Sequence, residues 1–283
     1  MNLPRERKTR CLLTASTALL AVGLILGRAD ETQALNISTC STLPINYDVV
    51  LVADISVNSG DCLDIDNGHD VNLNGHVITC GSGHTCATAI KALAAGTDVT
   101  GGYVNGSGLF GIGTFAVAIE GATTVSSVDA RATQAIKDTS SRLKSITDSY
   151  MYCAGTGTAI CVDVTMPRGT DEILDSTITS EGNGVRIVGA SSGNGPTIQG
   201  TYVGCDFTNT GIEQVGATKN LRVFGNTIEC STPFDFDNAG LVTDINAWHG
   251  NTCDDTYFCP PPPTCSNGGA PICGPDGVYC SPN

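Results

Sequence analysis

Residues 71–80 read VNLNGHVITC, and residues 221–230 read LRVFGNTIEC. Both segments alternate apolar and other residues before a glycine, and both end with isoleucine, any residue and cysteine. Residues 196–205, PTIQGTYVGC, follow the same pattern with valine in place of the isoleucine. Because alternation sends successive side chains to opposite faces of a strand, each copy predicts short β-structure with one apolar face.

Looser copies extend this pattern along the chain. The last positions of the nine copies fall at residues 59, 80, 106, 132, 153, 180, 205, 230 and 255. A second motif, a small residue followed by Ile or Val and a polar residue, recurs in phase, as in Ala89-Ile90-Lys91. Each period therefore holds at least two short strands, separated by turns rich in Gly, Asn, Asp and Ser.

Short strands that recur about every 25 residues can bury their apolar faces only by stacking on one another. We therefore expect an all-β fold, a single-stranded parallel β-helix of about eight coils over residues 35–257, with successive coils roughly 4.8 Å apart. The apolar positions of the motif would then share one interior stripe that contains Ile78, Val104, Val203 and Ile228. The main alternative is a β-sandwich of short antiparallel strands, which has no fixed period.

These repeats resemble those of exported right-handed parallel β-helix proteins of the pectin-lyase-like type. The resemblance covers about residues 45–257 and includes LVADISV at 51–57 and DCLDIDNGHDVNLNGHVITC at 61–80. It implies a right-handed helix but selects no function, since lyases, hydrolases, epimerases, adhesins and non-enzymatic surface proteins share this fold.

The first 34 residues are typical of a secretory signal peptide. A basic start with Arg5, Arg7, Lys8 and Arg10 precedes an apolar run at 11–27 and small residues. We predict secretion to the extracellular space, the periplasm or the cell surface, with no membrane span after cleavage. A retained membrane anchor is the alternative, although the run is shorter than the ~20 residues of a spanning helix.

The composition is acidic, with 14 Lys and Arg, 28 Asp and Glu and a formal net charge of −14. A surface of this sign repels phosphate backbones and argues against a nucleic-acid partner.

The 14 cysteines predict disulfides in an exported chain. The repeat places Cys205 and Cys230 one coil apart, within the distance that a disulfide accepts. Three further pairs are in reach of each other, namely Cys80 with Cys86, Cys153 with Cys161, and Cys40 with Cys62. Stacked buried thiols are the alternative for the coil positions.

Residues 258–283 form a tail rich in Cys and Pro, with no repeat. Its four cysteines predict a small disulfide-bonded unit, and they are Cys259, Cys265, Cys273 and Cys280. The tail either caps the open end of the helix or forms a separate interaction unit.

A metal site is the alternative use of the cysteines near residue 80. Its ligands would be His76, Cys80, His84 and Cys86, which suit zinc or copper by type. Their spacing matches no metal-binding motif that has a physical basis, so we expect no metal and no cofactor.

The second motif predicts an outward-facing column that is mostly charged. Its members are Asp64, Lys91, Glu120, Lys137, Cys161, Arg186, Glu213 and Asp235. Alternating signs would form ion pairs between coils and fix the strand register. A polar strip of this kind is also a surface on which an extended glycan could lie, which makes the charged members of the column, apart from Asp235, candidate substrate-binding residues.

Evidence for catalysis in the sequence is weak. His249, Asp254 and Asp255 are the candidate catalytic residues, at the last coil, but their order differs from that of hydrolases with this fold. We therefore expect a non-enzymatic protein of the cell surface or matrix that contacts a polysaccharide or cell-surface glycan. The alternative is a polysaccharide lyase or glycoside hydrolase that acts in a groove along the helix, and the lyase would require calcium.

Overall fold

The structure is a computed structural model. It describes residues 34–41, 43–108, 112–166, 168–189, 196–206, 209–215, 221–236, 248–249, 251–253, 271–274 and 277–280. Only the backbone is described for 233–236, 248–249, 253, 271–274 and 277–280. The predicted signal peptide lies outside these ranges except for Ala34, and so do Cys259 and Cys265 of the tail.

The described chain is an all-β parallel β-helix of about seven turns without α-helices, which confirms the predicted fold class. Its strands form three faces, and every strand-to-strand pairing within these faces is parallel. An antiparallel sandwich is therefore excluded. None of the described segments forms a helix with the length and apolar character of a membrane span.

The first face stacks the strands that begin each turn. They are Leu35–Ile37, Val49–Leu51, Val71–Asn72, Asp98–Asn105, Thr124–Ala132, Ser145–Thr147, Glu172–Leu174, Thr197–Gln199, Arg222–Phe224 and Trp248–His249. The second face follows it after a corner. Its strands are Ile55–Val57, Val77–Cys80, Tyr150–Cys153, Thr177–Ser180, Tyr202–Cys205, Thr227–Glu229 and Thr252–Cys253. The long strands Asp98–Asn105 and Thr124–Ala132 continue from the first face into the second.

The third face closes each turn. Its strands are Leu63–Ile65, Thr85–Ala92, Thr114–Glu120, Gln134–Asp138, Ile160–Thr165, Asn183–Val188, Thr210–Val215 and Thr232–Phe236. Pro271–Gly274 and Gly277–Cys280 of the tail form a separate antiparallel pair.

Three apolar stripes, one for each face, form the core. The stripe of the second face consists of Ile55, Ile78, Val104, Ala130, Met151, Ile178, Val203 and Ile228. Each of these side chains is at most 3% exposed. The prediction of one interior stripe is therefore confirmed.

The predicted register is wrong at the first turn. Val57 lies opposite Cys80, where the sequence pattern placed Ser59. The shift of two residues lets Leu51 and Ile55 enter the core, at 0% and 3% exposure, whereas Val52 is 47% exposed. Burial of the larger apolar side chains outweighs the match to the repeat.

The corner between the first and second faces repeats one backbone conformation. On six successive turns a residue with positive φ stands at the equivalent position, namely Gly101, Ser127, Asp148, Asp175, Gly200 and Gly225. The left-handed region suits glycine and, next best, short polar side chains.

A buried polar residue follows most of these positions. We call the buried Ser149, Ser176, Thr201 and Asn226, together with the half-buried Asn251 of the following turn, the corner ladder. The serine and asparagine side chains accept hydrogen bonds from amides of the preceding turn, such as Val128 N to Ser149 Oγ at 3.2 Å and Thr201 N to Asn226 Oδ1 at 2.9 Å, whereas Thr201 Oγ1 donates to Gln199 O at 3.1 Å. Backbone amides that the corner removes from the strand pairing thus find acceptors inside the protein.

Four disulfides join described cysteines, two between successive turns and two across a corner within one turn. They join Cys40 to Cys62, Cys80 to Cys86, Cys153 to Cys161 and Cys205 to Cys230. These are the pairs that the repeat places within reach of one another. The Cα separations lie between 4.6 and 6.0 Å, within the usual range.

Candidate functional site

The solvent side of the second face carries a row of tyrosines. One outward column, in turn order, is Val77, Tyr103, Asp129, Tyr150, Thr177, Tyr202, Thr227 and Thr252. The neighbouring column is Thr79, Asn105, Arg131, Tyr152, Thr179, Gly204 and Glu229. We call these two columns the tyrosine face, because they hold four of the seven tyrosines of the chain.

A shallow groove of about 220 Å³ opens at the N-terminal part of the tyrosine face. Its walls are formed by Val77, Tyr103, Asn105, Asp129 and Arg131, over the buried Val104. Tyr103 is 50% exposed, and Asn105 Oδ1 is buried without a hydrogen-bond partner. A ligand can contact the exposed Tyr103 ring directly, whereas the Asn105 oxygen would become an acceptor for a ligand only if its side chain turned toward the groove.

Arg131 is held in place on this face by two neighbours. Its Nε and Nη2 donate to the two carboxylate oxygens of Asp129, both at 2.8 Å, and its guanidinium lies 5.4 Å from the centre of the Tyr150 ring. The hydrogen bond with Asp129 raises the pKa of Arg131 above its ordinary value. The charge of Arg131 is therefore largely compensated within the protein.

Two of the tyrosines donate hydrogen bonds to glutamates on the following turn. Tyr152 Oη donates to Glu181 at 2.8 Å, and Tyr202 Oη donates to Glu229 at 2.5 Å. Burial, and then the hydrogen bond to Glu181, raise the pKa of Tyr152 to about 12. The Tyr152 phenol thus stays protonated at neutral pH, and the hydrogen bonds hold both rings in fixed orientations with carboxylates beside them.

The tyrosine face therefore combines rigid aromatic surface with hydrogen-bond acceptors. Apolar faces of sugar rings pack on aromatic rings, while sugar hydroxyls donate to carboxylates and amide oxygens. The sequence analysis missed this site. The signal was present, since Tyr103, Tyr150 and Tyr202 are each separated by two periods of the repeat.

One member of the charged column of the third face was predicted wrongly. Pairing aligns Lys137 with Asp163, and Asp163 with Arg186, so Asp163 replaces Cys161 in the column. Cys161 is fully buried and bonded to Cys153. In turn order the column reads Asp64, Lys91, Glu120, Lys137, Asp163, Arg186, Glu213 and Asp235. With this correction the signs alternate without interruption from Asp64 to Glu213.

Ion pairs link members of this column. Arg186 donates to both oxygens of Asp163, at 2.9 and 2.6 Å, and Lys137 Nζ lies 3.5 Å from Glu120. Arg186 has a raised pKa, owing first to its hydrogen bond with Asp163. The column places the candidate binding residues in one line, and its contacts compensate charge within the protein.

Asp64, the first member of the charged column, has a different environment from the other members. Lys91 Nζ lies 3.5 Å from Asp61, which is outside the column, and Asp64 Oδ1 is buried without a partner. Burial and the nearby charge of Asp61 raise the pKa of Asp64 above its usual value.

Three of the four residues named for the alternative metal site have other partners in the structure. Cys80 and Cys86 are bonded to each other, which removes both thiolates, and His76 Nδ1 lies 3.1 Å from Asp54. Within the described residues no cluster of three or more His, Cys, Asp and Glu is suited to hold a metal ion. His69 makes a similar contact with Asp48, also at 3.1 Å, so both histidines join successive turns.

The side chains of the candidate catalytic residues lie outside the described part of the chain. His249 lies on the strand Trp248–His249 opposite Phe224, and its side chain is not described. Asp254 and Asp255 lie outside the described residues, and the side chains of Cys273 and Cys280 are not described either.

Comparison with known proteins gives no relative for this chain. No family model, no curated protein and no solved structure matches it.

Proposed function

We propose that this chain is an exported, non-enzymatic β-helix protein that binds extended glycans on its tyrosine face. The groove formed by Tyr103, Asn105, Asp129 and Arg131 carries this proposal, because it places an exposed ring beside a carboxylate. The neighbouring turns continue the same combination of rings and carboxylates.

The disulfides support export. Four bonds among the described cysteines suit a protein that folds and remains in an oxidising compartment, such as the extracellular space or the periplasm. The apolar segment after the basic N-terminus supplies the matching targeting signal.

The rigid backbone supports a repetitive ligand. Side chains on a parallel stack are presented at one strand spacing, roughly 4.8 Å, turn after turn. A polymer of sugar rings offers similar groups at regular intervals, whereas a folded protein partner does not. Glycan binding on the third face, through its charged column, is the competing location.

Binding to immobilised polysaccharides tests the proposal. The full secreted chain would be compared with Tyr103→Ala, with Tyr103→Phe and with Tyr47→Ala, which removes a tyrosine that is 61% exposed outside the tyrosine face. We expect Tyr103→Ala to lose about tenfold in affinity, Tyr103→Phe to retain most of it, and Tyr47→Ala to bind as the parent does.

A third-face variant, Lys137→Ala, separates the two locations. The proposal fails if Lys137→Ala weakens binding while Tyr103→Ala does not, or if no polysaccharide is bound. The same samples, incubated with and without calcium, would reveal a lyase or hydrolase by the release of new chain ends.

A further inference from the structure

We infer that the glycan is an uncharged linear polysaccharide that lies lengthwise along the axis of the β-helix and contacts at least five successive turns. This inference rests on the proposed function and specifies the ligand of the same site.

The spacing of the tyrosines defines the direction of the ligand. Tyr103, Tyr150 and Tyr202 occupy one outward column on alternate turns, with Asp129 and Thr177 on the turns between them. At one strand spacing per turn, neighbouring rings of the column are roughly 9.6 Å apart, and the outer two are roughly 19 Å apart. A chain across the strands would meet only one ring of this column, whereas a chain along the axis meets all three.

The polar groups between the rings are mostly acceptors. The carboxylates of Asp129 and Glu229 accept hydrogen bonds, and the hydroxyls of Thr177 and Thr179 both donate and accept. The hydroxyl groups of a neutral sugar are donors that match this set. Tyr152 and Tyr202 already direct their own hydroxyls to glutamates, so they present rings and not free donors.

The charge of the site excludes anionic polymers. Among the outward side chains of the tyrosine face that the structure describes, Arg131 is the one cation, and Asp129 compensates it through two hydrogen bonds. Glu229 lies on the face, and Glu181 lies at its edge. A uronate or sulfated chain would therefore face net negative charge, within a protein of formal net charge −14.

Chain-length dependence of binding tests the inference. The probes are β-1,4-glucan, β-1,3-glucan, xylan and mannan oligosaccharides from dimer to hexamer, with oligogalacturonate of the same lengths as the anionic comparison. Calorimetry of the full chain with each series gives the affinities. We expect the hexamer of the preferred neutral series to bind at least tenfold more tightly than its dimer.

Tyr202→Ala provides the internal control, because Tyr202 is farthest from the groove. We expect this variant to lose about tenfold in hexamer affinity and to keep dimer affinity within about twofold, with Tyr202→Phe close to the parent. Equal binding of dimer and hexamer would overturn the lengthwise arrangement. Oligogalacturonate binding that strengthens as salt is lowered would overturn the neutral ligand. Absence of binding in every series would refute the proposed function together with the inference.

Discussion

Replacement of Asn226 by alanine should destabilise the β-helix through the corner ladder. Asn226 is 1% exposed, and its side chain makes three hydrogen bonds. Oδ1 accepts from Thr201 N at 2.9 Å, and Nδ2 donates to Ile198 O and to Asn251 Oδ1, both at 3.0 Å. Alanine removes all three bonds and leaves the Thr201 amide without this acceptor.

The expected loss follows from these contacts. A buried donor without an acceptor costs about 1–3 kcal/mol, and each further neutral hydrogen bond contributes about 0.5–1.5 kcal/mol. We therefore expect the free energy of unfolding to fall by about 2–6 kcal/mol. Urea denaturation followed by far-ultraviolet circular dichroism measures this change, with the slope of the transition compared between variants.

Asn226→Ser is the matched control, because serine stands at the equivalent position on two other turns. Ser176 Oγ donates to Leu174 O at 2.7 Å and accepts from Ser149 N at 3.3 Å. Serine at 226 can reproduce this geometry, so its loss should stay within about 1 kcal/mol. An alanine variant as stable as the parent would refute the reasoning, and so would a serine variant as unstable as the alanine variant.

Three further predictions concern other parts of the fold. Gly225→Ala should cost about 1–2 kcal/mol in thermal or urea unfolding, because φ is +66° there and the position has room for a Cβ, whereas Gly225→Asp should cost less, since aspartate occupies this conformation on two other turns. The pKa of Asp48 is lowered, first by the hydrogen bond from Asp70 N. The charged carboxylate therefore stabilises the fold at pH values above the ordinary pKa of 3.8, and this stabilisation is lost as the pH falls through the lowered pKa. Asp48→Asn should therefore be less stable than the parent at neutral pH, and the difference in urea midpoint should vanish in strong acid; an unchanged difference would contradict this. A double-mutant cycle of Asp163→Ala and Arg186→Ala should give a coupling of about 1 kcal/mol, and a value near zero would show that the bidentate pair is only a solvated contact.

The period and the interior stripes could be predicted because they depend on apolar alternation, which the sequence displays directly. Register within a turn is harder to predict. Near residue 160 two alignments satisfy the alternation, and the sequence motif favours Ile160 opposite Ile136. The structure places Val162 there, since Cys161 turns inward to its disulfide with Cys153. A shift of two residues preserves the pattern and changes the neighbours.

The tyrosine face could be found from the aligned copies of the repeat. Tyr103, Tyr150 and Tyr202 each stand three residues before the end of a copy, although turn lengths vary and the tyrosines are separated by 47 and 52 residues. Alternation of apolar residues identifies the inward positions and gives no weight to the outward ones, where these tyrosines lie. The corner ladder was not predicted from the sequence either. Serine, threonine and asparagine occupy the same corner position there, but they form no common pattern of hydropathy.

The charged column and the tyrosine face together limit how such a protein can be lengthened or shortened. Charge on the third face and the tyrosines on the second face both return after two turns. Deletion or duplication of a single repeat would therefore set equal charges against each other at the junction and break the sequence of aromatic rings. A cassette of two repeats, about 50 residues, leaves both arrangements intact, so pairs of turns are the natural units for genetic duplication and for engineered variants of different reach.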